Sequence, residues 1–500
     1  MDIVFTHKTQ SSYREFADPV KRIQVSAESV VPDTQEDIGR IASVRSQVLL
    51  KGKEVTSRGI SVSGELDTVL LYITEDEKNV AFLRLRRDYS MELEEADYPI
   101  DTLAQVRLTV CNTEARVLNP RKVAVTVELL AELNCFCREE TVVETVLPEE
   151  ADGLMHARKE KMDAFLVNGV CEKTFVLNEQ FRFPEGKPAP EQLVAQNVDF
   201  LIEDVQQVGS RAVVKGKAIV DVCYLAGDAP YPQQTRFSTV FSQIVDTGAE
   251  ECVASTVHAE LTGAYVDLVD TISGEKAMDA ELHAVLQMVS RSRQEVCAFT
   301  DVYSNRCPLQ CSFREMSVPE VSEEQHFRLR GEEEFSIAED CEDVLSVYPS
   351  VISFSLSEDY PLLSVGLDVL YRRRSGELSA VRRQMELKGE STLPDIRLYG
   401  GRIINTELRP EGGILRCRIE AELSGQSFRT RDGQAVTAVT LRDDEPYATA
   451  ELPTVTLVRA GEEDLWELAK RYHSSEEAIC QLRDALGLEN ASMLLIPRES

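Results

Sequence analysis

The sequence predicts a mainly β protein: three repeated antiparallel β modules, sheet- or sandwich-like, followed by a small β-α-α-β unit. Three observations predict it. Stretches of alternating apolar and polar residues recur along most of the chain. Two sets of such stretches are related by an offset of 152 residues, as Gly64 to Tyr72 (GELDTVLLY) is to Gly216 to Tyr224 (GKAIVDVCY). From residue 454 onward the apolar spacing changes from two to that of a helix.

Val123, Val125, Val127, Leu129, Ala131 and Leu133 stand at alternate positions, as do Leu415, Cys417, Ile419, Ala421 and Leu423. Period-2 alternation rich in β-branched residues describes strands with one buried and one wet face. Turn signals lie between them: LNPRK (118–122), TISGEK (271–276) and RPEGGI (409–414). Upstream of each tyrosine strand an apolar pair, a proline (Pro32, Pro184) and an acidic-start segment recur, and the apolar spacing after each proline predicts one brief helix per module. A third, looser copy contains FSIAEDCEDVL (335–345), LLSVGLDVLY (362–371) and ILRCRIEAEL (414–423). A period this long denotes repeated domains rather than solenoid units. The division that follows is an N-terminal segment (1–29), module one (30–148), a linker (149–181), module two (182–303), a linker (304–333), a divergent module three (334–452) and the final unit (454–500).

Composition narrows the function classes. With 54 basic against 86 acidic residues the formal charge is −32, a field that repels nucleic acid and anionic membrane surfaces. No stretch approaches the ~18 unbroken apolar residues of a membrane span, and the first residues, MDIVFTHKTQSSYREFADP, show no signal-peptide pattern. The expectation is a cytoplasmic protein without direct membrane insertion. Twelve scattered cysteines are expected as reduced thiols.

The final unit is read element by element. TVTLV (454–458) is a strand. Leu465, Leu468, Ala469 and Tyr472 form one helical stripe, with Glu462, Glu463 and Asp464 at its start and Lys470 and Arg471 at its end, matching the helix dipole. Ser474-x-x-Glu477 has the form of a capping box for a second helix that turns Ile479 and Leu482 inward, and MLLIP (493–497) is a closing strand. Trp466, the only tryptophan in the chain, is rotated about 100° from Leu465. Two readings of it stay open: an interface anchor at the edge of the stripe, or a ring that packs down because so small a unit needs all its apolar atoms.

The pattern Thr454-Val455-x-x-Val458-x-x-Gly461-x-x-x-Leu465-Trp466-x-Leu468-Ala469-x-x-Tyr472, closed by Ile496-Pro497, resembles the lysin motif (LysM) family. The resemblance implies a shallow groove for N-acetylglucosamine polymers between two loops. The sequence departs there: Gly461-Glu462-Glu463 replaces Gly-Asp-Thr/Ser, Arg483 stands where Asn ends the second helix, and Glu489-Asn490-Ala491 replaces a Pro-Gly turn. These departures weigh against a glycan and toward a protein ligand. The candidate partner-binding residues are Gly461, Glu462, Leu465, Trp466, Arg483 and Asn490. The repeated modules, with the TDVYS stretch (300–304) and a terminal LysM, resemble the spore-coat-associated (SPOCS) repeat proteins of spore-forming Firmicutes over roughly residues 30–450. That resemblance implies a morphogenetic protein of the mother-cell cytoplasm at the forespore surface. Its LysM domain would bind the coat ATPase, stage IV sporulation protein A.

Residues for catalysis are sparse. His7, His156, His258, His283, His326 and His473 form no metal-ligand spacing. Cys135-Phe136-Cys137 puts two thiols on one strand face, for a metal or as small core residues, and Cys307-x3-Cys311 offers exposed thiols for cross-linking. No nucleophile elbow, phosphate loop or dinucleotide fingerprint occurs, so neither catalysis, a metal nor a cofactor is expected. The leading expectation is a non-enzymatic assembly protein whose edge strands permit self-association and whose final unit docks a protein. The alternatives are a peptidoglycan or N-acetylglucosamine binder and a cell-wall hydrolase.

Overall fold

A computed structural model describes all residues except 17–19, 57–58, 77–78, 94–98, 100, 152, 228, 249–251, 253, 273, 321–324, 339, 391–395, 428, 448–453, 460–463, 487–492 and 499–500. The protein is mainly β, built from many small antiparallel sheets. Two strands, β1 (Asp2–Val4) and β2 (Thr6–Phe16), precede β3 (Val20–Val30), β4 (Ile38–Thr56), β5 (Gly59–Thr74), β6 (Val80–Leu93), β7 (Leu103–Asn119) and β8 (Lys122–Val146). Next come β9 (His156–Arg182), β10 (Pro190–Val208), β11 (Arg211–Ala226), β12 (Ala229–Asp246), β13 (Ala254–Asp270) and β14 (Lys276–Tyr303), then β15 (Leu309–Glu320). The remaining sheet strands are β16 (Gln325–Ser336), β17 (Cys341–Ser357), β18 (Tyr360–Arg373), β19 (Leu378–Lys388), β20 (Ile396–Glu411), β21 (Ile414–Ser427) and β22 (Arg429–Leu441).

One pairing scheme organises most of these strands. A meander of three (β4-β5-β6, β10-β11-β12, β17-β18-β19) faces a second layer in which an early strand pairs with the last strand of a later hairpin (β3-β8-β7, β9-β14-β13, β16-β21-β20). Alternation supplies the cores between the layers. Leu66, Leu70 and Tyr72 of β5 meet Val123 to Leu133 of β8, and Leu363 to Val369 of β18 meet Leu415 to Leu423 of β21. The Tyr72 hydroxyl donates to the Glu36 carbonyl at 3.0 Å and the Tyr224 hydroxyl to the Pro188 carbonyl at 3.1 Å, so each buried ring is tied to the entry of its own meander. Glycine is required at 64 and 216. A Cβ there would lie 1.9 Å from the Leu49 carbonyl oxygen and against Tyr89, or 2.3 Å from that of Leu201 and against Phe241.

The brief helices expected after Pro32 and Pro184 do not form. Each proline opens a turn, closed by Gln35 N–H to Pro32 O at 2.9 Å and Lys187 N–H to Pro184 O at 3.3 Å, and a long strand follows. The cause is visible in the register. β4 shifts register at 38/40, 41/43 and 50/52, and β10 at 190/192, 193/195 and 202/204. Each bulge inserts one residue and flips the alternation, so two bulges in succession give apolar spacings that imitate a helix.

The expected linkers are also strands. Residues 156–182 form β9, and 309–320 and 325–336 form β15 and β16. The first part of β9 pairs with the last part of β14 (Ala157↔Val302, Leu166↔Ser292), and β2 pairs with the last part of β8 (Thr6↔Val146, Phe16↔Cys135). Opposite them stands the sheet β1-β22-β15. Ile3, Phe5, Met155, Phe299, Val302, Val436 and Leu441 share one core, continued by Met162, Leu166, Val296 and Val318. This hub uses the N-terminal segment, parts of both supposed linkers, residues 429–441 and the ends of β8 and β14, so its composition is diluted over six stretches. Its charged residues, such as Lys161 and Arg431, line the wet faces.

The three meanders, each with its facing layer, pack on one another rather than standing in a row. Ala42, Val69 and Ile73 of the first meet Val194 and Cys223 of the second and Leu370 and Leu378 of the third in a shared core. Polar ties join them: Gln47 donates to Val198 O at 2.8 Å, Arg382 to Asn112 at 2.8 Å, and the Arg45 guanidinium lies 4.1 Å from the Tyr348 ring centre. Among the described residues no helix is long and apolar enough to cross a membrane.

Candidate functional site

The final unit contains β23 (Val455–Arg459), α1 (Leu465–Tyr472), α2 (Glu476–Ala485) and β24 (Met493–Pro497), with β23 antiparallel to β24. Asp464 caps α1 by accepting from the Trp466 N–H at 3.3 Å. His473 ends the helix in the left-handed region, and the Ser474 N–H returns to the Ala469 carbonyl at 2.9 Å. The cap of α2 is Ser475, accepting from Ala478 N–H at 3.1 Å, one residue later than the sequence predicts. The left-handed turn at His473 consumes that residue, and Ser474 becomes fully buried in the joint.

Leu468, Ala469, Ile479 and Ile496 form the core of the unit, with Val458, Leu465, Tyr472 and Leu494 packed at its margin. Trp466 is only 5% exposed. Its ring is covered because the unit rests on the hub: it meets Tyr303 edge-on with ring centres 4.8 Å apart. The indole N–H donates to Asp301 at 2.8 Å, and the Lys470 ammonium donates to both oxygens of the same carboxylate at 2.9 and 2.7 Å. The Tyr303 hydroxyl donates to the Ser474 carbonyl at 2.8 Å, and Arg158 pairs with Asp464 at 2.6 Å. Partial burial disfavours charge on Asp301, but the bonds from Lys470 and Trp466 together outweigh it and hold the carboxyl below its usual range. The Trp466 N–H bond, then Arg158, lowers Asp464 likewise.

The other face of the unit is open. Val455 is 46%, Leu457 58% and Met493 39% exposed. The register sets Val455 opposite Pro497, Leu457 opposite Leu495 and Arg459 opposite Met493, so these side chains share the sheet face turned away from the helices. Among the described residues β23 and β24 pair with no third strand.

Of the six candidate binding residues, Gly461, Glu462 and Asn490 lie outside the described residues. Leu465 is half-buried at the core margin, Trp466 faces the hub, and Arg483 is half-buried near Asp484 at 3.4 Å. The structure therefore gathers Leu465 and Trp466 but sets Arg483 on the second helix, apart from the hub contact. Sequence reading missed Asp301, Tyr303 and Arg158. The available signal was the TDVYS stretch, where alternation puts Asp301 and Tyr303 on one face of the end of β14.

None of the twelve cysteines is joined in a disulfide. Cys135 is buried in the first sandwich core and Cys137 is half-buried beyond it; Cys307, expected as exposed, is buried in the hub core, with Cys311 at its margin. Among the described residues no group of three or more His, Cys, Asp or Glu side chains is placed to hold a metal ion. No family model, no curated protein and no solved structure matches the chain.

Proposed function

We propose that this chain is a non-enzymatic assembly protein of the spore-coat-associated repeat type. In this reading it is a coat and cortex morphogenetic scaffold in the mother-cell cytoplasm. Residues 454–500 are a LysM domain that docks onto the coat ATPase, stage IV sporulation protein A, at the forespore surface. The observation that carries the reading is the open apolar face of β23 and β24, with Val455, Leu457 and Met493 exposed on a unit whose opposite side is anchored. A contiguous exposed apolar patch is the usual mark of a protein contact.

The three sandwich units are, in this proposal, copies of one duplicated module. Support comes from features that recur at an offset of 152 residues: the bulges of β4 and β10, the tyrosine ties of Tyr72 and Tyr224, and the glycines facing Tyr89 and Phe241. In the third unit β17 is bulged as well, and Arg382 and Asp368 form a cross-strand pair like Arg236 and Asp221. Self-association would use an edge such as β12, where Phe237 to Val245 carries no charge and Val240 and Ile244 are exposed.

The test is capture of the purified coat ATPase by the full chain and by Leu457→Asp. A charge on the open face should weaken capture at least about tenfold while leaving the fold intact. Capture by the variant at full strength would refute the reading. So would sedimentation with peptidoglycan that soluble N-acetylglucosamine oligomers reverse, which would install the glycan alternative.

A further inference from the structure

The final unit has an open aliphatic face and a second surface, around Trp466, that is covered. Trp466 and Tyr303 are buried against each other across the boundary between the unit and the hub. The unit's own core of Leu468, Ala469, Ile479 and Ile496 is supplied from within residues 454–500, apart from the Tyr303 ring. No strand of the hub pairs with β23 or β24 among the described residues. What joins the two bodies is a side-chain clamp. Asp301 receives both Trp466 and Lys470, Arg158 meets Asp464, Tyr303 reaches the Ser474 carbonyl, and the Tyr447 ring lies 4.2 Å from that of His473. Polar contacts of this kind between units of one chain are typical of interfaces that open and close. Covering a tryptophan and a tyrosine hides the residue types that dominate protein contacts.

We propose that Asp301 is a latch: docked, it holds the final unit on the hub with Trp466 masked, and its release presents Trp466 as a second contact for the partner that binds the open sheet face. The inference rests on the protein-docking reading above and adds regulation to it. The open face governs whether the partner binds at all, and the latch governs how much surface it receives. Asp301 suits this role because a single carboxylate accepts from both the indole and the ammonium. Losing it strands a half-buried cation and an indole N–H together, so the docked state is lost as a unit.

The single tryptophan makes the latch directly observable in the full chain. Asp301→Lys sets like charges against each other at Lys470 and should raise acrylamide quenching of Trp466 fluorescence several-fold. The double swap Asp301→Lys with Lys470→Asp restores the ion pair though not the indole bond, and should recover part of the wild-type protection from quenching, which shows that a loss of folding is not being read. Capture of the purified coat ATPase should strengthen at least about threefold in Asp301→Lys, by exposure of the ring, and return in the double swap. Quenching equal in wild type and Asp301→Lys would overturn the latch. Raised quenching with unchanged or weakened capture would overturn the masking role while leaving the docking reading intact. If neither the wild type nor Asp301→Lys captures the ATPase, the docking reading itself falls, and the masking role with it.

Discussion

Glu260 provides the most demanding test of how the first two sandwich units are joined. It lies on β13, almost fully buried, beside Arg107 of β7, Glu132 of β8 and the Leu108 backbone. Burial is the dominant influence and pushes its carboxyl up to about 8, against the opposing pull of Arg107 and a hydrogen bond from Leu108; Glu132 adds to the rise. The unfolded chain titrates near 4.5. The folded state thus keeps a proton that the unfolded state gives up, so the stability this group contributes is fully present below pH 4.5 and is lost as pH rises toward 8. The slope from one such group is about 1.4 kcal/mol per pH unit, accumulating to roughly 3 kcal/mol by pH 7. Burial likewise raises Glu132 to about 7 and Asp199 to about 6, in the same direction. The perturbation is Glu260→Gln, which keeps the shape and removes the titration. Urea unfolding of both proteins at pH 5, 6, 7 and 8 is the assay. The wild type should lose stability steadily over this range, and the variant should lose about 1.4 kcal/mol less per pH unit. Parallel pH profiles for the two proteins would refute the account of a buried, protonated carboxyl.

Further predictions follow from the fold. Gly216→Ala forces a methyl group against the Leu201 carbonyl and Phe241 and should cost about 1–3 kcal/mol, read as a lower Tm; Gly209→Ala, at a turn with open space, bears only the strain of an alanine at positive φ and should cost about 1 kcal/mol. Tyr224→Phe removes the tie to Pro188 and should cost about 1 kcal/mol by urea unfolding. Thiol titration should find twelve reactive groups after denaturation but slow reaction of Cys417 in the native protein, because burial raises its thiol to about 12.

Much of this protein was legible in its sequence because strands with one wet face write their burial into alternate residues. The alternation at Val123 to Leu133 and at Leu415 to Leu423 forms the cores it predicts. The 152-residue offset located Gly64, Tyr72 and their counterparts, since close approach to a ring and a buried hydroxyl each demand one residue type. Helical spacing pointed to α1 and α2, although α1 begins only at Leu465, with Asp464 as its cap, and the cap of α2 falls one residue later than expected. Bulges defeated the same reasoning after Pro32 and Pro184, because each inserted residue shifts the phase of the alternation that the argument relies on.

Other features belong to tertiary structure alone. The hub draws strands from 2–16, the last parts of β8 and β14, the first part of β9, and 309–320 and 429–441, and no local window contains its two faces together. Trp466 shows the same limit in one side chain. Its position on the helix settles that it stands beside the stripe of Leu465, Leu468 and Ala469. Whether that flank meets water or another surface depends on Asp301 and Tyr303, more than 160 residues away in sequence. Periodicity records the side of an element on which a residue lies; only the packing of whole elements decides what occupies that side.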